Sequence, residues 1–442
     1  MTDLSDTSLA AASPWWRTPA EGRLRIRGGV PLLGRYPISG AKNAVLPLMV
    51  SAILTPHPVT LHTVPASLDV AVLANLLQRL GLRVGWSEGV TGLTATLCAD
   101  QVHPTSVDAG LVSRMRASVL LLGALLGRTG KARLPLPGGD AIGLRGIDFH
   151  LTGLRAMGAE ISMTGGLIEA TAPRGLHGAE ILLPQPSVGA TENLMLAAVL
   201  ARGRTIIRNA AQEPEIADIA LCLTEMGATV AGAGGAVITI EGGRPLGGAV
   251  HYVMPDRIET GTLACAAALT GGELLLAHGR LDLLGAAAPV LEAAGVALTQ
   301  TAEGLLARRA PGELQGTDFQ TMPYPGFATD LQAPVMALFA FATGASTVTE
   351  TIFEQRFRHV DELRKMGANI QVRGRTALLR GVPRLTGAPV LATDVRAAAA
   401  LVLAGLGAAG ETEIEGLDHL DRGYDGMVRK LADCGADITR LS

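Results

Sequence analysis

The segment LRKMGANI, residues 363–370, is the strongest indication of the fold, because this pattern occurs six times along the chain. Each copy follows the pattern Leu-x-x-apolar-Gly-x-x-apolar, and successive glycines are separated by 77, 69, 68, 72 and 68 residues. The pattern is typical of a helix that ends at a glycine and is followed at once by a strand. The copies are LQRLGLRV (77–84), LRAMGAEI (154–161), LTEMGATV (223–230), LEAAGVAL (291–298), LRKMGANI (363–370) and LADCGADI (431–438).

A second repeated element lies between these copies. It is an apolar segment of small residues that stops at Gly or Pro before a stretch rich in Thr, Val and Ile. Helices that are apolar on all sides are buried. We therefore predict an α/β protein of six repeats, each of about 70 residues with two helices and about four strands, with helices inside and sheets outside. A solenoid or propeller is the alternative for a repeat protein, but those arrays have shorter periods, about 20–50 residues. The segments are 43–64, 116–136, 191–210, 260–279, 330–350 and 396–416.

The composition excludes several classes of protein. Of 442 residues, 48% are apolar and 17% charged, so the chain can bury a large core. The net charge of −3 and the 3% aromatic content favour neither nucleic acid nor an anionic membrane surface as partner. The four cysteines lie far apart with no CxxC pair, which indicates neither a zinc site nor a disulfide framework and fits a reducing cytoplasm.

Neither terminal nor internal apolar segments predict membrane insertion. The uncharged run 331–349 is interrupted by Pro334 and by Thr343-Gly344, and a spanning helix needs about 20 uninterrupted apolar residues. Residues 1–22 are acidic and lack the basic start and long apolar stretch of a signal peptide. We expect them to form a mobile extension.

Polar residues stand where each of the six apolar helices begins. Helix N-termini carry free N–H groups and the positive end of the helix dipole, so six such starts would bind anions. Any single Ser, Thr or Asp there is explained as an N-cap, but cations at that end oppose the dipole unless an anion joins them. The pattern predicts a polyanionic substrate. The residues are Lys42, Asn43, Arg114, Arg116, Ser187, Thr191, Glu192, Asp256, Arg257, Asp330, Asp394 and Arg396.

A glycine-rich loop, LPLPGGDAIGLRG at 134–146, has Gly138, Gly139 and Gly143 around Asp140, and Arg145 follows them. A mobile loop with one acid and one cation is typical of a lid that delivers a proton and holds an anion, although an exposed turn explains the loop equally well. The sequence contains no P-loop, no dinucleotide-binding glycine motif and no histidine cluster, so we expect neither a metal nor another cofactor.

Ten ordered motifs from about Arg23 to the C-terminus resemble the enolpyruvyl transferase family, and within it the UDP-N-acetylglucosamine 1-carboxyvinyltransferases. The motifs are ISGAKNAVLP (38–47), RMRAS (114–118), PGGDAIGLR (137–145), SVGAT (187–191), EPEIAD (213–218), PDRIETGT (255–262), PGFATD (325–330), TETIFEQRFRHVDELRKMGA (349–368), TDVRAAAALVLAGL (393–406) and HLDRGY (419–424).

The resemblance implies two inside-out, barrel-like α/β domains of three repeats each, with the active site between them. The first domain would span 42–254, and the second would combine 23–41 with 255–442. It also implies transfer of the enolpyruvyl group of phosphoenolpyruvate to the 3-hydroxyl of UDP-N-acetylglucosamine, the first committed step of peptidoglycan precursor synthesis, by domain closure and without a metal.

By the same resemblance, residues at matching motif positions receive roles. Asp140, Asp330, Lys42 and Arg422 would be catalytic, with Asp330 taking the proton of the 3-hydroxyl and Asp140 protonating the methylene carbon. Phosphoenolpyruvate would be bound by Lys42, Asn43, Arg145 and Arg422. The sugar nucleotide would be bound by Asn43, Arg116, Arg145, Ser187, Val188, Gly189, Asp330 and Ile352.

The chain departs from the family pattern at three places. Asp140 stands where the family usually has Cys, Gly146 where it has Pro, and Pro184-Gln185 where it has Asp-Lys. The first change keeps a proton donor, and the last removes a cation near the expected nucleotide. Two alternatives therefore stay open: a paralogue that modifies another nucleotide, such as uridine monophosphate in a secondary-metabolite pathway, and an inactive member that acts as a binding protein. 3-Phosphoshikimate is a less favoured acceptor, because ISGAKN resembles the sugar-nucleotide branch.

Overall fold

A computed structural model describes residues 22–89, 91–104, 107 and 109–441. The predicted mobile extension, 1–22, lies almost wholly outside these residues. Within them strands and helices occur along the whole chain, with short 3-10 turns at Ala52–Leu54, Arg116–Val119, Leu281–Leu284 and Thr329–Leu331.

The helices of the described chain are α1 Lys42–Ser51, α2 Leu68–Arg79, α3 Ala109–Val112, α4 Leu120–Thr129, α5 Asp148–Ala156, α6 Val188–Ala198, α7 Pro214–Glu225, α8 Arg257–Thr270, α9 Ala287–Ala293, α10 Gln332–Phe339, α11 His359–Lys365, α12 Val395–Gly407, α13 Leu417–Gly423 and α14 Met427–Asp433.

The strands are β1 Arg23–Arg27, β2 Leu33–Pro37, β3 Val59–Val64, β4 Arg83–Glu88, β5 Leu93–Cys98, β6 Lys131–Pro135, β7 Glu160–Thr164, β8 Leu167–Thr171, β9 Glu180–Leu182, β10 Gly203–Arg208, β11 Thr229–Ala231, β12 Val237–Gly242, β13 Ala249–Tyr252, β14 Glu273–Ala277, β15 Val296–Gln300, β16 Gly304–Arg309, β17 Phe319–Gln320, β18 Ala345–Thr349, β19 Asn369–Arg373, β20 Thr376–Arg380, β21 Pro389–Leu391, β22 Glu411–Glu415 and β23 Asp437–Leu441.

The six-fold repeat predicted from the sequence is confirmed. The repeated glycines follow helices α2, α5, α7, α9, α11 and α14, and all six have φ between +90° and +101°. Residues with a Cβ avoid this left-handed region, so glycine is needed to end each helix and turn the chain into the next strand.

The second repeated element forms α1, α4, α6, α8, α10 and α12, and these helices are buried as their composition predicts. Every residue of α10 is buried, for example. The sheets place one face on these helices and one in solvent, as the alternation of buried and exposed residues along β1 and β20 shows. The α/β class with interior helices is therefore confirmed.

Five of the six sheets of the described residues share one topology, in which an outer strand runs parallel to its neighbour and the next two strands follow in antiparallel order. The remaining sheet, β6-β8-β7, has three strands, all antiparallel. The sheet orders are β13-β3-β5-β4, β9-β10-β12-β11, β6-β8-β7, β2-β14-β16-β15, β17-β18-β20-β19 and β21-β22-β1-β23.

The chain divides into two compact units, each with three of these sheets and its own hydrophobic core. The first unit contains Gly40–Asp140 and Arg145–Met254. The second contains 22–39, Ala141–Leu144 and the chain from Pro255 to 441. In the second unit β1 pairs with β23 in the register Arg23↔Leu441, so its sheet joins the first and last described strands.

Among the described residues, no helix combines the length and apolar character that crossing a bilayer requires.

Candidate functional site

Three of the polar helix starts are N-caps. The Ser187 hydroxyl accepts a hydrogen bond from the Ala190 N–H at 3.4 Å. Asp256 caps α8 and Asp394 caps α12, each through one carboxylate oxygen that accepts two backbone N–H groups. Helix capping therefore explains these three residues, as the sequence analysis allowed, and no ligand is needed to account for them.

Lys42 is the first residue of α1, and its ammonium group lies 2.7 Å from the Asp69 carboxylate. The Lys42 side chain is 13% exposed and Asp69 is buried. Asp69 sits in the first turn of α2, where a carboxylate is favoured by the helix dipole. The carboxylate neutralises a cation that would otherwise oppose the start of α1.

Two guanidinium groups lie close together at the end of the glycine-rich loop. Arg116 donates to the Gly146 carbonyl at 2.7 Å, and Arg145 lies beside the same loop, near Gly139. Burial, together with the positive charge of Arg145, lowers the pKa of Arg116 to about 10, against the opposing effect of Asp148. Two cations held together in a partly buried place create a strong preference for an anion.

The loop itself owes its course to its glycines. A Cβ on Gly138 would lie 1.7 Å from the Ser113 carbonyl oxygen, and Gly139 has φ +118°. Asp140 is half-buried at the point where the first unit gives way to residues 141–144 of the second. Asp140 thus follows two residues whose close packing and backbone conformation require glycine.

Within the second unit, residues 141–144 pack on the segment 354–358. The Leu144 N–H donates to the Glu354 carboxylate at 2.6 Å, and the Gln355 N–H donates to the Ile142 carbonyl at 3.0 Å. A Cβ on Gly143 would lie 2.6 Å from the same carboxylate. These residues thus make specific contacts, although Ala141 is exposed and the Leu144 side chain is 92% exposed.

Asp330, in the second unit, is paired with two buried arginines. Its two oxygens lie 2.7 Å from Arg356 and 2.6 Å from Arg396, whose side chains are only 4% and 5% exposed, against 23% for Asp330. Burial opposes the charge of Arg396, but Asp330 outweighs it and raises the Arg396 pKa. Asp330 was expected just before or at the start of a helix, and it lies in the 3-10 turn that leads directly into α10, without capping that helix.

Glu350, which is fully buried, fixes the turn that carries Ile352. One of its oxygens accepts the N–H groups of Ile352 and Phe353 and the Thr321 hydroxyl, at 2.8 to 3.0 Å. The other accepts the Thr329 hydroxyl at 2.9 Å, next to Asp330. The two segments predicted to contact the sugar nucleotide in this unit are therefore held by one carboxylate.

Arg422 lies in the last turn of α13, half-buried. Two residues later Tyr424 places its ring 5.5 Å from the Arg396 guanidinium and its hydroxyl 3.3 Å from Thr262. This connects the end of α13 with the Asp330 cluster through Arg396.

The structure groups the predicted site residues by unit. Lys42, Asn43, Arg116, Asp140, Arg145, Ser187, Val188 and Gly189 belong to the first unit, and Asp330, Ile352 and Arg422 to the second. Part of the reasoning that led to a polyanionic substrate needs correction, because protein carboxylates join two of the cations, Lys42 and Arg396. For these two cations the opposition to the helix dipole does not require a ligand.

Sequence reasoning missed the groups that orient these residues. Asp69, Arg356 and Tyr424 make contacts that no short motif reveals, since their partners are distant in sequence. Arg356 stood inside a quoted motif but received no role. Among the described residues no group of three or more His, Cys, Asp and Glu side chains is arranged to hold a metal ion.

Two features define the class of protein: a fold of two units with six repeats, and cations at the N-termini of its buried helices. Residues 26–431 match the family model of EPSP synthase (3-phosphoshikimate 1-carboxyvinyltransferase). The solved structure of the enolpyruvyl transferase NikO from Streptomyces tendae has a TM-score of 0.86 and 27% identity, covering 96% of this chain and 99% of that one. The protein is an enolpyruvyl transferase by fold and family.

The particular branch follows from closer relatives. A UDP-N-acetylglucosamine 1-carboxyvinyltransferase of Acidiphilium cryptum is 55% identical over 419 residues, and one of Rhodospirillum centenum is 54% identical over 426. Each alignment covers 95% of this chain and 99% of the relative. The chain belongs to the UDP-N-acetylglucosamine 1-carboxyvinyltransferase family.

Proposed function

We propose that this chain transfers the enolpyruvyl group of phosphoenolpyruvate to the 3-hydroxyl of UDP-N-acetylglucosamine and releases phosphate. The observation that carries this proposal is the pair Arg116 and Arg145 at the end of the glycine-rich loop. These two cations repel each other, and an anionic substrate relieves that repulsion. The family membership supports the reaction type.

Phosphoenolpyruvate carries a carboxylate and a phosphate, so it needs several cations. We assign its binding to Lys42, Asn43, Arg145 and Arg422. Arginine forms paired hydrogen bonds to such groups, and lysine contributes a point charge. Asp69 holds the Lys42 ammonium group in place before the substrate arrives.

Asp330 takes the proton from the 3-hydroxyl in this proposal. Two guanidinium groups hold its carboxylate in a fixed position. Proton transfer to such a base is favourable once the hydroxyl oxygen has begun to bond to C2 of the enolpyruvyl group, because the hydroxyl then becomes acidic. The proton leaves as the C–O bond forms.

Asp140 supplies the second proton. It protonates the methylene carbon while the oxygen attacks C2, giving a tetrahedral intermediate that still carries the phosphate. The Asp140 carboxylate then takes a proton back from the methyl carbon as phosphate departs, which restores the double bond and leaves the enol ether. Every proton in this addition and elimination is handled by a protein carboxylate.

The sugar nucleotide is assigned to Arg116, Arg145, Asn43, the start of α6 and, in the second unit, Asp330 and Ile352. The start of α6 offers backbone N–H groups at Val188 and Gly189 behind the Ser187 cap. We further propose that the two compact units act as the two domains of the enzyme.

One assay tests the function. Purified protein with phosphoenolpyruvate is offered UDP-N-acetylglucosamine, uridine monophosphate or 3-phosphoshikimate, and phosphate release and product mass are followed. We expect turnover with UDP-N-acetylglucosamine alone. Turnover with uridine monophosphate instead would favour the paralogue, and no turnover would favour a binding protein; the 54–55% identity to the named relatives supports neither.

The proposed reaction sets the cellular role. Its product is a precursor of peptidoglycan, so we place the enzyme in the cytoplasm, in cell-wall biogenesis and hence in cell shape and division. Its partners there are its two small-molecule substrates.

A further inference from the structure

A histidine outside the assigned site lies against the start of α6. His150, the third residue of α5, is 4% exposed. A Cβ built on Gly189 would lie 3.3 Å from its Cε1 atom and 3.6 Å from its Nε2 atom. The Nε2 edge of the ring therefore faces the first turn of the helix whose N-terminus is assigned to the sugar nucleotide.

A chain of hydrogen bonds fixes which ring nitrogen carries the proton. The backbone N–H of Gly123, in α4, donates to Asn193 Oδ1 at 2.8 Å. The Asn193 side chain must therefore present its NH₂ group to His150 Nδ1, 3.0 Å away. Since an NH₂ group only donates, Nδ1 accepts and the proton of the neutral ring is on Nε2.

Packing leaves this arrangement little freedom. A Cβ on Gly123 would lie 2.4 Å from Asn193 Oδ1 and 2.3 Å from the Asn193 carbonyl oxygen, so only glycine admits the amide there. A Cβ on Gly153 would lie 2.5 Å from the Leu194 side chain, which brings α5 equally close to α6. The ring is held from both sides.

The ring is also uncharged. Burial, with a smaller effect of the positive charge of Arg116, lowers the pKa of His150 to about 3. Arg145 and Asp148 are the other charged groups beside Arg116. At neutral pH the imidazole is therefore a neutral donor with a known orientation, and no described residue accepts its Nε2–H.

We propose that His150 binds a phosphoryl oxygen of the nucleoside diphosphate through Nε2–H, beside the N-terminus of α6, and that Asn193 positions it by fixing its tautomer. The inference rests on the proposed function, because it names the ligand of that site. An anion is the expected acceptor, since the helix start and Arg116 favour negative charge at this point. A neutral donor adds a hydrogen bond there without adding to the repulsion between Arg116 and Arg145.

The tautomer is tested directly by NMR of protein labelled with ¹⁵N-histidine. We expect His150 to be neutral with its proton on Nε2 from pH 6 to 8. A proton on Nδ1, or a charged ring, overturns the inference without any ligand being present.

Binding is tested by calorimetry with UDP and UDP-N-acetylglucosamine, and by NMR at millimolar concentration with uridine. For His150→Phe we expect about 10- to 100-fold weaker binding of UDP and UDP-N-acetylglucosamine, the loss of one hydrogen bond to a charged group, and unchanged uridine binding. His150→Gln keeps a donor and should lose less. His177→Phe, an exposed histidine of the same unit, is the matched control and should bind like wild type. Equal losses on UDP and uridine, or no loss, overturn the proposal.

Asn193→Asp separates positioning from packing. The carboxylate still accepts the Gly123 N–H but now also accepts from His150 Nδ1, which moves the proton to Nδ1. We expect UDP binding to weaken as pH rises from 6 to 8, because deprotonation of the ring then leaves a bare Nε2 facing the phosphate, while wild-type binding stays flat. A flat profile in the variant overturns the role of Asn193.

The outcomes separate the inference from the function. A wild type that binds UDP-N-acetylglucosamine, beside a folded His150→Phe that binds it equally well, overturns the inference alone. A wild type that binds neither nucleotide overturns the proposed function as well. Thermal unfolding of each variant shows that it is folded.

Discussion

Three carboxylates of the second unit show how differently one chemical group is used at the scale of single residues. Asp394 caps a helix, and Glu350 is surrounded by neutral donors. Asp330 faces two buried arginines and yet keeps 23% of its side chain exposed. Neutral donors and a cap are sufficient for structure, whereas two buried cations on one accessible carboxylate cost desolvation that folding does not require. This difference supports the proposal that Asp330 is the reactive group.

Asp330→Asn tests the base. The amide keeps the shape but accepts no proton, so we expect turnover to fall about 10²- to 10⁴-fold, the usual range for a general acid or base. The change also leaves Arg356 and Arg396 without their counter-charge, which should lower the unfolding free energy by about 3 kcal/mol. Turnover and urea unfolding measure the two effects.

The matched control for that variant is Glu259→Gln. Glu259 is a buried carboxylate of the same unit that lies 3.4 Å from Lys430 and accepts from Tyr36 at 2.9 Å. Its loss should destabilise the unit but leave the turnover of folded enzyme near normal. Near-normal turnover of Asp330→Asn would remove Asp330 from the mechanism.

Asp140 is tested through its difference from a thiol. A thiol with an ordinary pKa of about 8.5 is protonated at pH 7, whereas an aspartic acid of about 3.9 is not. As a proton donor Asp140 needs a raised pKa, so we expect activity to fall from mildly acidic to alkaline pH, with a limb that Asp140→Cys moves upward. Asp140→Ala should nearly abolish turnover. Measurement of kcat against pH for the wild type and the two variants tests these expectations.

The same residue determines sensitivity to fosfomycin, an epoxide that alkylates the thiol usual in this family. A carboxylate is a much poorer nucleophile, so the wild type should resist it and Asp140→Cys should become sensitive. Time-dependent inactivation of the wild type with the label on Asp140, or full activity of the alanine variant, would contradict the role of this loop.

Gln185 tests the choice of nucleotide. The residue is exposed just before the start of α6. Gln185→Lys restores the cation usual at this position and should tighten binding of UDP-N-acetylglucosamine, by up to about 2 kcal/mol if the contact is charge-assisted. Calorimetry measures the change. An unchanged affinity would mean that Gln185 has no influence on the acceptor.

At the scale of elements, the ends of the repeated helices determine the fold. Six glycines in the left-handed region turn six helices into strands at the same point of each repeat. Space is available at some of them: nothing lies within 4 Å of a Cβ on Gly227 or Gly367. What these positions require is therefore the backbone conformation itself.

Gly367→Ala should lower the unfolding free energy by about 1–2 kcal/mol, the cost of a left-handed conformation for a residue with a Cβ. Gly85→Ala is the control, because Gly85 lies in β4 without a positive φ and its Cβ would meet only the Thr96 carbonyl oxygen, 3.9 Å away. It should be neutral or stabilising. Equal stability of the two variants, measured in denaturant, would contradict the argument.

The repeat was readable in the sequence because it is local. A glycine after an apolar helix and a strand after that glycine follow from neighbouring residues, as does the burial of helices without a polar face. The contacts of the site are not local. The residues around Asp330 in the sequence do not predict its contact with Arg396, which is 66 residues away. The residues around His150 likewise do not predict its contact with Asn193. These pairings depend on how helices from different repeats pack, so the types of site residue were predictable and their partners were not.

At the scale of the whole molecule, each unit contains a buried neutral histidine. In the second unit this is His359, whose pKa is lowered to about 4 by burial and by Arg356, against the effect of Asp394. His150 has the same character in the first unit. Below pH 6.5 the unfolded chain protonates both histidines while the folded units do not, so both units lose stability as pH falls.

His359→Leu tests this. In the wild type, the contribution of neutral His359 to the unfolding free energy is fully present above pH 6.5. It is lost toward pH 4, at about 1.4 kcal/mol per pH unit for one histidine. In the variant, the slope of the unfolding free energy against pH should therefore be smaller than in the wild type by about 1.4 kcal/mol per pH unit. Urea unfolding between pH 4.5 and 7.5 measures it, with the exposed His57→Leu as control. An unchanged slope would assign the acid sensitivity to other groups.

The pairing of β1 with β22 and β23 has a consequence for synthesis. β1 leaves the ribosome first among the described strands, and its partner β22 follows with Arg23 and Glu413 separated by 390 residues. At about 5–20 residues per second, β1 waits about 20 to 80 seconds for a partner. The first unit, made of chain between β2 and α8, has all its strands by then. Translation thus imposes an order in which the strands of the first unit are all present while β1 and β2, the opening strands of the second unit, still lack their partners β22 and β14.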